Sequence, residues 1–516
     1  MRKWMPLLAV CLGTFMLLID VTIVSVALPQ MTDSLDASFS ALQWVVDVYV
    51  LVLAALLMAI GSLSDLKGAR RVYLAGLAVF AVASLTCGLA DSSGMMIAAR
   101  GVQGLGAAAM FATNTPLLAS NYQGRDRGIA FGVWGAVNGA AAAAGPILGG
   151  LLTEHLNWRW IFLVNLPVAA VALFVGVKHL ARSATRTDRR VDLPGTVGFT
   201  VMATLLIFAL IHAGDEGWGA TTTLALFGGA VLALVAFILV ERGKPDPMLD
   251  LALLRTPSFG GLMAGAVVFS AAAFANLVFV SVWAQSVLDL SPVKAGLILM
   301  PLSGMSFVAA GLAGRFLAAV APQWPIGIGL LLIGTGTLLE MLVTGTSGWT
   351  ALLPGMVLTG VGVGLASPTL ASAALAAAPA SRAGMAGGAA NTFRQLGFAV
   401  GIPVVGAILS GAIARNLAES KAFADSGAAA ELVTGGQSSA VLAELPAQSR
   451  AAAAGAIEDA YAAGLDQVFL VSGVAAVAAG VLVLLLVRRA AGQPDADVPG
   501  IGGQSQARVE KPLRAV

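Results

Sequence analysis

Three side chains that ordinarily seek water fall inside long apolar runs of this sequence: Asp20, Asp47 and Arg100. A charge at membrane depth is costly unless it is paired or hydrated, and such groups commonly mark ion paths and proton relays. Burial favours the protonated form of an acid, whereas a nearby guanidinium favours the ionised form. The two influences together can make proton occupancy depend on which side of a membrane the group faces. The chemistry on offer is reversible proton binding, with Asp20 as the leading carrier, Asp47 as a second acid and Arg100 as the fixed countercharge. Glu340 and Arg394 form a second set of charges within apolar runs.

Other chemistries find little support. Cys11 and Cys87 sit in apolar runs, outside any Cys-x-x-Cys or Cys/His cluster, so neither a disulfide framework nor a metal site is expected. His155, His179 and His212 have no ligand spacing and no nucleophile to activate. The sole Gly-Lys pair, Gly243-Lys244, is followed by Pro245, which does not make a phosphate-binding loop. An enzyme is not expected, nor any cofactor; a proton gradient is the expected energy source.

The elements that must position these charges follow from composition. The 516 residues are 58% hydrophobic and 11% charged, with mean hydropathy +0.88. That leaves too few charges to clothe soluble domains, so much of the surface must face lipid. A net charge of +2 gives no reason to expect nucleic acid as a partner. A membrane-spanning helix needs about 20 apolar residues. Fourteen such runs are present, the first from Leu7 to Pro29 and the last from Leu465 to Val487.

With the N-terminus placed in the cytoplasm, 22 of the 29 Lys and Arg residues fall on the cytoplasmic side and five outside, with Arg100 and Arg394 within spans. Short cytoplasmic loops carry such an excess, so both termini are expected inside a bacterial plasma (inner) membrane. The expected fold class is an all-α integral membrane protein. Residues 1–181 form a six-helix bundle, 182–258 a linker with an inserted helix pair, and 259–488 a second six-helix bundle. The external loop 414–464 reads as partly disordered or surface-lying, and 489–516 as a disordered cytoplasmic tail. At 1.5 Å per residue, Asp20 lies about 20 Å along the first span, and Asp47 and Arg100 roughly 8 to 9 Å inside the outer ends of theirs. All three fall in the outer half, where they could share one hydrated cavity.

Several motifs then gain meaning. The loop from Gly61 to Arg71 holds Asp65, Lys67, Gly68 and Arg70 between the second and third spans. It resembles the signature loop of the major facilitator superfamily, although Leu66 stands where that family commonly has Arg. The resemblance implies a gating role for Asp65 and Arg70 on a turn framed by Gly61 and Gly68. The segment Arg100 to Gly106, with Gln103, resembles the fourth-helix motif in which the Arg is associated with proton transfer. Gly145-Pro146 with Gly149-Gly150 resembles the antiporter motif that separates exporters from importers. Further matches around Asp20, Asp47, Asn157 to Pro167, Gly217 to Gly219 and Asn391 to Gly397 resemble the fourteen-helix drug:proton antiporter branch, with Ser25 standing where Asn is usual.

The resemblance spans roughly residues 10 to 405 and implies a two-bundle transporter working by alternating access. Its expected activity is export of small amphipathic drugs or antibiotics in exchange for protons, by a monomer in the bilayer. Trp44, Tyr49, Gln103, Trp134, Glu340 and Arg394 are candidate cavity residues. The alternatives are a proton-coupled carrier of one metabolite, inward or outward, and a transporter-like receptor that moves nothing.

Overall fold

The computed structural model describes residues 2–487, except 36–38, 182–191, 245–246, 318–319, 345–346, 380–381, 421–422 and 424. Several side chains within helices, those of Asp47 and Pro146 among them, also lie outside the described residues, as does the expected tail 489–516. Every element is helical among the described residues, as a lipid environment requires of a backbone that must satisfy its own hydrogen bonds.

The first set comprises α1 (Met5–Leu35), α2 (Phe39–Lys67), α3 (Ala69–Gly88), α4 (Ser93–Asn121), α5 (Gly124–His155), and α6 (Trp160–Leu163) continued by α7 (Asn165–His179). The pair α8 (Leu193–Glu216) and α9 (Thr221–Arg242) follows, then the short α10 (Leu251–Leu254). A second set opens with α11 (Pro257–Ser270), which runs through a π-helical turn, Ala271–Ala275, into α12 (Asn276–Ser286). It goes on with α13 (Pro292–Ile298), α14 (Met300–Phe316), α15 (Gln323–Leu339), α16 (Leu353–Ala376) and α17 (Ala383–Ser420). Two short helices, α18 (Ser426–Thr434) and α19 (Ser438–Ala443), precede the last long one, α20 (Arg450–Leu486).

Thirteen helical stretches are long and apolar enough to cross a membrane among the described residues. The 32-residue α5, in which some side chains are not described, is a further helix of that length. The first and last described residues lie at one face. Tyr122 donates to the Lys3 carbonyl at 3.1 Å and Ser258 to that of Leu486 at 3.5 Å. At the same face Arg70 reaches the Val177 carbonyl and Arg382 pairs with Asp250.

Glycines set how closely the helices approach. A Cβ on Gly106 would lie 2.7 Å from the Phe80 nitrogen of α3, so only glycine lets α4 seat there. Along the seam between the two sets, a Cβ on Gly132 of α5 would lie 2.7 Å from the Ala310 carbonyl of α14, and one on Gly139 3.1 Å from Ser306 Oγ. The second seam joins α17 to α2 and α4: Asn391 donates to the Phe111 carbonyl at 2.9 Å. The inserted pair is peripheral. Trp44 of α2 meets Phe208 of α8 with centroids 5.5 Å apart, while α9 exposes Leu224, Val231, Leu232 and Leu239, an apolar stripe suited to lipid.

The stretch 414–464 has two expected readings, partly disordered or surface-lying, and its described residues are ordered. It is mostly helical, with Ala429, Ala430, Val433, Val441 and Ile457 buried against α12 and α17. Alanine-rich composition hid this, because small apolar residues give a weak periodic signal even where they pack.

At the face bearing the chain ends, a clasp ties the linker to the inserted pair. Asp192 pairs with Lys244 and accepts from the Gly195 nitrogen at 2.9 Å and the Met248 nitrogen at 3.3 Å. Burial pushes the Asp192 carboxyl up, but hydrogen bonds with Glu241, Lys244 and Gly195 outweigh it and hold the group below the usual carboxylate range. A depressed folded value means the clasp's stabilisation is present above the unfolded value of about 3.9 and is lost as pH falls through the folded one. Proteolysis of the linker is therefore expected to be several-fold faster in Asp192→Ala than in the native protein at neutral pH.

Candidate functional site

Asp20 on α1, Arg100 and Gln103 on α4 all have 0% exposure. Their helices are brought together by small residues: a Cβ on Gly104 would lie 2.7 Å from the Tyr49 carbonyl, which seats α4 against α2. Within this junction Arg100 Nη1 pairs with Asp20 Oδ2 and donates to Gln103 Oε1 at 2.8 Å, while Arg100 Nε donates to the Val45 carbonyl at 2.9 Å. Gln103 Nε2 completes the ring by donating to Asp20 Oδ1 at 2.9 Å and to Ser84 Oγ at 2.9 Å. Asn165 of α7 adds a longer bond to Asp20 Oδ1 at 3.4 Å. The Tyr49 ring covers the guanidinium, 4.2 Å from its carbon to the centroid, a contact that strengthens where water is excluded.

The arrangement is an enclosed ion pair bridged by one amide side chain. Arg100 Nη2 and the Tyr49 hydroxyl are buried there without a hydrogen-bond partner, and removal of one member of a buried ion pair typically costs about 3–5 kcal/mol. Gln103 fixes the rotamers of both partners. Gln103→Leu is expected to lower folded-state stability by about 1–3 kcal/mol, the loss of hydrogen bonds to charged groups, as a lower melting temperature in detergent.

Gly145 places α5 beside this site. A Cβ there would collide with Thr22 Oγ1, two residues from Asp20 on α1. The same helix then meets the second set through Gly132 and Gly139, and a Cβ on Gly150 would lie 3.0 Å from Val293 Cγ2 of α13. One helix, α5, thus touches both α1 beside Asp20 and the α14 seam. Gly149 is buried in the same helix, and Pro146 lies outside the described side chains.

At the face with the chain ends, Asp65 Oδ2 accepts from the Met385 nitrogen at 3.0 Å, satisfying a free N–H in the first turn of α17. Gly68, with φ 88°, takes a conformation unfavourable for side-chain-bearing residues and turns the chain into α3. A Cβ on Gly388 would lie 3.2 Å from Gly61 Cα. Asp65 and Gly61 thus meet α17 at this face, whereas Gly68 turns the chain into α3 and Arg70 reaches the Val177 carbonyl of α7.

The other expected residues separate. Asp47 sits on α2 near Tyr49, its side chain outside the described residues. Gln103 and Tyr49, expected in a substrate cavity, belong to the Asp20 network. Trp134 is fully buried in the first set, where its Nε1 donates to Thr14 Oγ1 at 2.9 Å and holds it beside Asn114. Trp44 faces the inserted α8. Glu340 and Arg394 do not pair, because α15 and α17 start at the same face and the two residues lie 17 and 9 positions beyond Gln323 and Met385. Ser84 escaped the sequence reading, and Asn165 enters it only as part of the motif Asn157 to Pro167; a polar residue within each apolar run was the available signal.

A model of the Major Facilitator Superfamily matches residues 10–402. The multidrug resistance protein Stp of Mycobacterium tuberculosis is 35% identical over 415 residues, 80% of this chain and 77% of that protein. The tetracenomycin C resistance and export protein of Streptomyces glaucescens is 32% identical over 515 residues, 96% of this chain and 94% of that one. Among solved structures, the human organic anion transporter MFSD10 (TETRAN) matches with TM-score 0.60 at 15% identity, over 93% of this chain and 99% of that one; this likeness speaks for the fold alone. Two sets of helices meeting at α5–α14 and α2–α17 agree with these matches, and the chain belongs to the major facilitator superfamily.

Proposed function

We propose that this chain is a proton-coupled antiporter that exports small amphipathic compounds, drugs or antibiotics among them, from the cytoplasm of a bacterium by alternating access. The observation that carries this reading is the enclosed Asp20–Arg100–Gln103 network, joined through Gly145 to the seam that must slide when the two sets rock. Relatives whose names describe multidrug resistance and tetracenomycin C export support the substrate class. The excess of Lys and Arg on the face with the chain ends supports cytoplasmic termini in the plasma membrane. The working unit in this reading is the monomer.

The cycle begins with the substrate site open outward and Asp20 protonated. Closing outward and opening inward carries the proton across; each charge moved down 100 mV of membrane potential releases about 2.3 kcal/mol. Arrival of an amphipathic compound favours the conformation with Asp20 ionised against Arg100, so the proton leaves to the cytoplasm as the compound is enclosed. Asp65 and Met385 then shut the inner face.

The discriminating experiment uses purified protein in liposomes with an imposed pH gradient, acid inside, mimicking inside-out cells. Ethidium, puromycin and chloramphenicol are added outside. Accumulation of at least one, abolished when the gradient is collapsed, is the expected result. Accumulation only with the gradient reversed indicates import, and no gradient-dependent movement of any of them contradicts the reading.

A further inference from the structure

Of the two arginines within spans, Arg100 is matched by Asp20, whereas Arg394 has no carboxylate partner among the described residues. Its Nη1 is buried and makes no hydrogen bond. Helical geometry fixes where the side chain goes. On α17, Gly387, Gly388 and Asn391 meet the first set, at Pro116, Gly61 and the Phe111 carbonyl. Gly397 and Gly401 meet α11 and its π-helical turn. At about 100° per residue, Arg394 falls between these two stripes, so it leaves α17 toward the protein interior and away from lipid. Nine residues beyond Met385, it lies roughly 14 Å from the face bearing the chain ends, near the midplane.

The surroundings are aromatic. The guanidinium carbon stands 5.2 Å from the centroid of Phe269, a ring with 0% exposure. Phe269 meets Phe274 edge-on at 5.8 Å, and Phe274 belongs to the π-helical turn Ala271–Ala275. Such turns locally widen a helix and often coincide with functional sites. Phe393 packs on the same cluster. The side chain remains partly accessible despite its depth. A guanidinium at midplane without a countercharge attracts an anion strongly, since the surrounding medium screens it weakly.

We infer that Arg394 is an anion-recognising subsite of the substrate path, selecting aromatic compounds that bear a carboxylate, sulfonate or phenolate. The anionic group takes the free Nη1 in a charge-assisted hydrogen bond, and the ring lies against Phe269 and Phe274. The inference rests on the export reading above. It also separates the two tasks of the antiporter: the proton stays with Asp20 in the outer half, and the substrate's charge is met by Arg394 near the midplane.

A matched pair of permanently charged probes tests it: naphthalene-2-sulfonate and 2-naphthyltrimethylammonium, neither of which carries protons itself. Proton release on probe addition is measured in the acid-loaded liposomes, for the wild type, Arg394→Gln and Arg394→Lys, each first shown to be folded by its melting temperature. The wild type should answer the sulfonate in preference to the ammonium. In Arg394→Gln the sulfonate-to-ammonium ratio should fall by about tenfold or more, the equivalent of one charge-assisted hydrogen bond, and Arg394→Lys should recover part of it. An unchanged ratio in Arg394→Gln, or a wild type that ignores the sulfonate while ethidium, puromycin or chloramphenicol still drives proton release, overturns the anion subsite and leaves export standing. Silence toward all five compounds overturns both.

Discussion

Asparagine at position 20 is expected to reduce gradient-driven export by at least about a hundredfold while the protein is still made and inserted. The side chain is nearly isosteric and retains hydrogen-bonding capacity toward Gln103 and Asn165, so the helices keep their places. What it loses is the charge opposite Arg100 and the ability to gain or release a proton. The uncompensated guanidinium costs about 3–5 kcal/mol in the closed arrangement, and a hundredfold rate loss corresponds to about 2.7 kcal/mol. Transport down a substrate gradient, which needs no proton, should persist in Asp20→Asn at a measurable rate. Equal loss of uphill and downhill movement would point instead to a collapsed fold. Export at wild-type rate would remove Asp20 from the cycle.

The second large effect concerns the junction between α2 and α17. Leucine in place of Gly388 is crowded there: its Cβ would stand 3.2 Å from Gly61 Cα, so α2 and α17 must give by a few tenths of an ångström before the rest of the side chain is placed. The helices must part at that face, shifting the population toward the conformation open to it. A reporter cysteine replacing the buried Met58 of α2 reads this directly. Labelling by an impermeant maleimide from that face should accelerate at least about tenfold in Gly388→Leu, a population shift of roughly 1.4 kcal/mol, and export should fall with it. Asp65→Ala removes one acceptor at the N-terminus of α17 and should give the milder version, in line with about 0.5–2 kcal/mol for loss of a helix cap. Labelling that stays slow in both variants contradicts a gate at this junction.

Much of this architecture could be read from residues alone. The apolar runs gave the spans because lipid demands a fixed length of helix with its backbone satisfied, and Asp20 and Arg100 stood out because buried charges seek each other. The remaining members of their network were hidden for physical reasons. Ser84 and Asn165 carry no charge, so hydropathy passes over them, and Gln103 reads equally well as a cavity donor. Gly145 announced a close approach but not its partner; only the fold puts Thr22 there. Glu340 and Arg394 look like a pair by type and not by depth, because sequence does not say which helices are neighbours. The 414–464 segment shows the converse, a packed helical region whose alanines blur the pattern that would have revealed it.

One proton is expected to travel on Asp20 and to leave when substrate binds. This is tested most directly by titrating purified protein in weakly buffered detergent with a compound it exports and recording proton release. The wild type should release close to one proton per molecule bound, and Asp20→Asn none while still binding the compound. Equal release from both would contradict the account.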